Sequence, residues 1–134
     1  MRDFSEGRAA VKVNGRWGFV GKSGNITIDP RFDSVRDFHD GVASFGLKDR
    51  FGYVDAEGEI VIPPGYEYTW RFSEGLAMVA LSGKCGYIDR PGNLIIPYHF
   101  ASAFEFINGI ARINSDNRIG YINKQGEYIW KSAK

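Results

Sequence analysis

The side chains able to move protons, attack carbonyls or hold metals are few in this 134-residue sequence: two histidines (His39 and His99), one cysteine (Cys85) and sixteen carboxylates. A transition-metal site needs three or four such ligands converging at short spacing, and no repeated ligand spacing surrounds either histidine. A thiol nucleophile needs a general base within hydrogen-bond reach, and neither histidine lies near Cys85 in the sequence. With one cysteine, no intrachain disulfide and no cysteine metal cluster can form. Glu57 and Glu59 are close together, but polar turn residues surround them and nothing apolar would raise a carboxyl pKa for acid–base work. No catalytic residue, metal or cofactor is expected, and the chain reads as a non-enzyme.

One carboxylate series is regular. Glu6, Asp40 and Glu74 stand 34 residues apart, each directly before a glycine, and Asn108 takes the next place. Such a row could collect cations or basic peptides. The simpler use is to tie down a turn between repeated units, which Asn108 does as well as an acid.

The same 34-residue period runs through the whole chain. Arg16-Trp17-Gly18-Phe19-Val20 returns as Arg50-Phe51-Gly52-Tyr53-Val54, as Lys84-Cys85-Gly86-Tyr87-Ile88 and as Arg118-Ile119-Gly120-Tyr121-Ile122, with no insertion or deletion. The copies are 4–37, 38–71, 72–105 and 106–134, within a single repeat domain over 1–134. Each opens on a phenylalanine: Phe4, Phe38, Phe72 and Phe106. Cys85 shares a column with Trp17, Phe51 and Ile119, which marks it as a small buried hydrophobe.

Inside a copy the period is two. Ala9, Val11 and Val13 alternate with Ala10 and Lys12, the pattern of a strand with one buried face. Asn14-Gly15 follows, the strongest short hairpin signal, since both central residues of a type I′ turn need positive φ. Lys48-Asp49, Ser82-Gly83 and Asp116-Asn117 stand at the same place. The second strand carries a glycine between bulky residues, which implies that a backbone or an aromatic ring packs over Gly18, Gly52, Gly86 and Gly120. An Asx turn closed by glycine comes next, with Pro91-Gly92 suited to the central pair of a type II turn. A third strand, such as Ile26-Thr27-Ile28, should stop at Pro30, Pro63-Pro64 or Pro97, because proline cannot donate to a ladder. A return segment then leads to the next copy.

The combined pattern, Phe-Ser-Glu-Gly-x-Ala followed by an aromatic-Gly-aromatic strand, an Asx-x-x-Gly turn and Ile-x-Ile-Pro, resembles the bacterial WG-repeat (KWG-type) family over residues 4–130. Only the first copy has the literal Trp17-Gly18; Gly21 and Asn123 replace the turn Asp, and the fourth copy lacks the Ile-Pro-Pro tail. The resemblance implies an all-β repeat scaffold and brings no catalytic residues with it. About three antiparallel strands per copy cannot bury an apolar face alone, so copies must associate. An open twisted β-array is expected, with a closed four-fold ring or small propeller as the alternative. The Lys-rich end, Lys131-Ser132-Ala133-Lys134, reads as a polar terminal cap.

Recognition is best sought where the copies disagree. Tyr68 replaces Ser34 and Ser102, and Trp70 replaces Arg36 and Phe104. With Tyr66 and Arg71 they form a cluster of the residue types that anchor interfaces, although Trp70 would equally serve to pack one copy on the next. Tyr128 and Trp130 end the chain as either a cap over the last sheet or a contact surface. A protein or peptide partner is expected, with self-association through open sheet edges a further possibility. The aromatic content suggests a carbohydrate or cell-envelope module as the alternative.

Charge and hydropathy narrow the partners. The net charge is +1, and copies 38–71 and 106–134 carry −3 and +3, so no continuous basic stripe exists for a nucleic-acid backbone. No apolar run approaches membrane-spanning length and no signal-peptide core stands at the N-terminus, which favours the cytoplasm.

Overall fold

In the computed structural model, which describes residues 6–132, the chain forms fifteen β-strands and, among the described residues, no helix. Phe4 and the final Ala133-Lys134 of the tail lie outside the described residues. The first sheet contains β1 (Arg8–Val13), β2 (Arg16–Gly21) and β3 (Ile26–Phe32). The second contains β4 (Ser34–Val35), β5 (Val42–Leu47), β6 (Arg50–Asp55) and β7 (Ile60–Tyr66). The third contains β8 (Tyr68–Thr69), β9 (Leu76–Leu81), β10 (Lys84–Asp89) and β11 (Leu94–Phe100). The fourth contains β12 (Ser102–Ala103), β13 (Ala111–Ser115), β14 (Arg118–Ile122) and β15 (Tyr128–Lys131). Every described pairing is antiparallel. Each sheet keeps two edges, so none closes into a barrel.

The return segment does more than connect. Its last residues pair with the first strand of the following copy, as Val35 does with Phe45 and Ala103 with Ile113. The later sheets therefore have four strands, one borrowed from the preceding copy.

Turn chemistry follows the residues. Both central residues of all four hairpins have positive φ, including Lys48 at 50° and Asp49 at 67°. Asp55 Oδ1 accepts the Glu57 and Glu59 amides at 3.0 and 2.9 Å, and Asn123 Oδ1 does the same for Gln125 and Glu127 at 3.0 Å each. In the third copy the Gly92 amide bonds the Asp89 carbonyl at 3.0 Å. The central pair is thus Arg90-Pro91, with Gly92 closing the turn at φ 101°, and not Pro91-Gly92. The Asx bond, in which the Asn93 amide donates to Asp89 Oδ1, sets the frame one residue earlier.

The prolines also differ from expectation. The third strands run on through Pro30, Pro63-Pro64 and Pro97 to Phe32, Tyr66 and Phe100. Between Trp17↔Phe32 and Phe19↔Ile28, the single residue Gly18 faces Asp29, Pro30 and Arg31. This three-residue bulge recurs opposite Gly52 and Gly86. Inside a bulge a missing N–H leaves no ladder bond unmade, so the proline is tolerated there. The bulged backbone lies directly over the glycine. A Cβ on Gly18 would collide with the Ile28 carbonyl and stand 2.7 Å from the Pro30 nitrogen, and Gly52 and Gly86 meet Ile62 and Ile96 in the same way. Above Gly120 the obstacle is the Tyr128 ring, 2.8 Å from the same point.

The chain divides into two compact units, Met1–Tyr66 and Glu67–Lys134, each joining two sheets around one core. In the first unit Ala10, Phe19, Ile28 and Phe32 of the first sheet cluster with Val35, Ala43, Phe45 and Val54 of the second. In the second unit Met78, Tyr87, Ile96 and Phe100 of the third sheet cluster with Ala103, Ala111, Ile113 and Ile122 of the fourth. The opening phenylalanine of the later copy locks each pair: Phe38 meets Phe19 edge-on at 4.8 Å, and Phe106 meets Tyr87 at 4.9 Å. A buried phenylalanine contributes about 1.5–3 kcal/mol.

The simple alternation expected for the first strands is not what forms. Ala9 and Ala10 are both buried, Val42 to Gly46 are all buried, and Val13 is 43% exposed beside its hairpin. Strands covered on both faces read as continuous apolar runs, as Leu76-Ala77-Met78-Val79 does.

Candidate functional site

β8 places the sequence-singled aromatics. Its pairing with Ala80 and Val79 turns Thr69 inward, 1% exposed, and Tyr68 outward, 37% exposed. Trp70 stays beside β9 because its amide bonds the Met78 carbonyl at 3.0 Å. The Tyr68 and Trp70 rings stack with centroids 6.2 Å apart, and the Arg71 guanidinium lies 5.8 Å from the Trp70 ring. Together with Met78, Ala103, Phe104 and Glu105 they line an open groove of about 420 Å³. Tyr66 does not line it. That residue ends β7 in the first unit, half-buried and paired with Phe51, at the position that Phe32 and Phe100 hold in their sheets.

Two of the three groove anchors also hold the unit together. Glu105 accepts the Trp70 indole N–H at 3.1 Å and the Arg71 Nε and Nη2 at 2.8 and 3.2 Å. Trp70 packs against the core of the third and fourth sheets. Tyr68 and the half-exposed Phe104 are the apolar members of the groove most open to a partner.

Two of the three regular carboxylates, Glu6 and Glu74, tie down turns of the following copy. Glu6, Asp40, Glu74 and Asn108 all sit in the left-handed region with φ between 53° and 55°. Glu6 Oε1 accepts the Gly41 amide of the following turn at 3.0 Å. Glu74 receives both the Asn108 and Gly109 amides, with Lys124 3.5 Å away. The Gly109 bond, with lesser help from Asn108 and Lys124, holds the Glu74 carboxyl below its ordinary value.

The remaining reactive types are dispersed. Cys85 is buried in the second core, and burial pushes its thiol pKa up. Burial likewise raises the Tyr87 phenol, whose hydroxyl donates to the Phe104 carbonyl at 2.6 Å. His39 takes part in a hairpin bridge to Val42, and His99 packs its ring on Phe100 at 4.9 Å. Among the described residues no three His, Cys, Asp or Glu side chains gather as metal ligands.

A surface that sequence reasoning marked only at Trp130 lies on the fourth sheet. Ile110, Arg112, Tyr121 and Trp130 occupy the positions of Leu76, Met78, Tyr87 and Ile96 in the third. The third-sheet set is buried, at 7%, 8%, 0% and 2% exposure, whereas Ile110, Tyr121 and Trp130 are 40%, 37% and 54% exposed. Ile110, Arg112 and Tyr121 line a second groove of about 560 Å³ with Phe104, Glu105, Ile107 and Asn108. The signal was present in the columns: Arg112 follows Ala10, Ser44 and Met78, and Trp130 follows three isoleucines.

No curated protein matches the chain. Among solved structures it is similar to KlHsv2 with loop 6CD replaced by a Gly-Ser linker, at 12% identity and TM-score 0.58, over 94% of this chain and 48% of that one. Kluyveromyces lactis Hsv2 with complete loop 6CD is similar at 11% identity and TM-score 0.56, over 96% and 45%. This likeness is one of fold alone, and the chain spans about half the length of those proteins. The model of the WG containing repeat matches four times in tandem, over residues 1–17, 17–49, 51–85 and 86–118. The recurrent glycine under its bulge and the opening phenylalanine on its aromatic are thus the frame of a known repeat, and the chain belongs to the family of WG containing repeats.

Proposed function

We propose that this chain is a non-enzymatic binding scaffold whose second unit recognises a protein or peptide partner at the Tyr68–Trp70–Phe104 groove. The observation that carries the reading is a pair of stacked aromatics opening onto an apolar trough, with Tyr68 37% and Phe104 50% exposed. Aromatic anchors already held in place lose little conformational freedom on binding. Peptide-display selection against the chain tests this, using Tyr68→Ala and Phe104→Ala variants as counter-targets. Selected peptides should lose about tenfold or more in affinity for either variant, with melting unchanged. Equal affinity for all three proteins would sink the proposal.

A second reading rests on register. Trp70 and Phe104 hold the same column of successive copies and border one groove, an arrangement that also suits stacking on sugar rings. Hits on a glycan array that vanish with Phe104→Ala would favour it over the peptide.

A further inference from the structure

The second unit contains both a filled and an empty version of one receptor. On the third sheet, Leu76, Met78 and Tyr87 belong to the same buried cluster as Phe106, which arrives from the next copy. The Phe106 ring meets Tyr87 edge-on at 63°, and the Tyr87 hydroxyl donates to the carbonyl of Phe104, two residues before the inserted ring. One copy later the same three places are Ile110, Arg112 and Tyr121, and they line the open groove of about 560 Å³. Its walls are apolar where an aromatic ring would sit, and the phenol that would meet the incoming backbone carbonyl is 37% exposed.

The one change of chemical type is Met78 to Arg112. Its guanidinium lies 5.7 Å from the Phe104 ring at the side of the groove. The other charged residue of the groove's lining, Glu105, is taken up by Arg71 and the Trp70 indole. A ring entering this groove would therefore bring its neighbouring residues beside fixed positive charge.

We infer that the outer face of the fourth sheet is a receptor for a phenylalanine or tyrosine carried on an acidic segment of another protein, seated as Phe106 is on Tyr87. The inference rests on the reading of this chain as a protein-binding scaffold and adds the chemistry of the partner. The aromatic ring fills the apolar trough, the backbone accepts from Tyr121, and a flanking carboxylate pairs with Arg112. Charge complementarity of this kind selects the partner and speeds encounter more than it deepens affinity.

The test uses a synthetic peptide with the sequence of residues 33–42, which carries Phe38 among three aspartates and one arginine. It is titrated into the isotope-labelled chain while amide shifts are followed. Saturable shifts centred on Ile110, Arg112 and Tyr121, with Kd below about 1 mM, are expected. A Phe38→Ala peptide should not bind. Arg112→Glu, an exposed substitution, should weaken the acidic peptide at least about tenfold. The same variant should bind a peptide carrying Asp37→Lys and Asp40→Lys better than the unchanged chain does. Absence of saturation, or indifference to Phe38→Ala or to Arg112→Glu, overturns the inference. Shifts confined to Tyr68 and Trp70, which line only the first groove, also overturn it but leave the proposed function standing. Mass that grows with protein concentration and is abolished by Tyr121→Ala would make a second copy the occupant, again against it.

Discussion

Arg71 and Glu105 occupy the same column of successive copies, 34 residues apart, and form a two-pronged ion pair with each other. The carboxylate also takes the Trp70 indole, so it serves two donors on one side of the unit. Arg71→Ala loses a pair whose arginine is 44% exposed, which costs about 1 kcal/mol or less. Glu105→Ala strips both donors and should cost about 1–2 kcal/mol. Urea unfolding of the two single variants and the double variant measures this. Equal costs would show that the Trp70 bond contributes nothing. Arg71 is for this reason a poor probe of partner binding, and Tyr68 a better one.

The glycines under the bulges should be far less tolerant than the glycine under a ring. At Gly52 a new Cβ meets the backbone of Ile62 and Pro63, which the sheet holds in place. At Gly120 it meets the ring of Tyr128, itself 41% exposed and able to turn away. Gly52→Ala and Gly86→Ala are expected to destabilise by about 3 kcal/mol, and Gly120→Ala by about 1 kcal/mol or less. Thermal melts of the three variants decide the matter, and similar losses at all three sites contradict the assignment. Trp17→Phe, at a half-buried position that the other copies fill with Phe51, Cys85 and Ile119, should be mild.

Lys48-Asp49 is the hairpin whose residues least suit their conformation. A left-handed lysine costs about 1–2 kcal/mol relative to a residue at ease there. Asp33 offsets part of this by accepting the Lys48 amide at 2.9 Å. Replacing the pair by Asn-Gly, as at Asn14-Gly15, should raise stability by about 1 kcal/mol. A denaturation midpoint that stays the same or falls would mean that the Lys48 side chain makes up the difference.

The carboxyl of Glu74 ties pH to the joint between the third and fourth copies. Its pKa in the folded state lies below the ordinary 4.5, chiefly through the Gly109 amide. The unfolded chain therefore binds a proton more readily than the folded one, and stability from this group is present above 4.5 and lost as pH falls through the lower folded value. The difference in Tm between the parent and Glu74→Gln should be largest near neutral pH and shrink in acid. A difference that held constant down to strongly acid pH would rule out this role.

Much of the frame was legible because it depends on contacts close in sequence. Asn14-Gly15, the Asx turns and the strand glycines each announce a backbone need that only a few residue types meet. The bulges were not legible, since Pro30 read alone marks the end of a strand and only the pairing with Trp17 and Phe19 shows that the strand resumes. Burial on both faces of Val42 to Gly46 also depends on what covers a sheet, which no period of two records. Tyr68 and Trp70 were found by their departure from the repeat. Arg112 escaped because a charged residue on a strand normally signals solvent. Only its standing in the column of Met78, in one groove with Ile110 and Tyr121, gives it another meaning.

The bulges bear finally on how such sheets avoid pairing edge to edge. β3, β7 and β11 are outer edges of their sheets, and each carries proline within its bulge. An edge so interrupted is a poor template for another strand, which is how natural sheets resist aggregation. At the other side of the later sheets, the edge strands β4, β8 and β12 are only two residues long. β15 has neither protection: Tyr128-Ile129-Trp130-Lys131 contains no proline, and, like β1 at the edge of the first sheet, it offers a stretch open to strand addition.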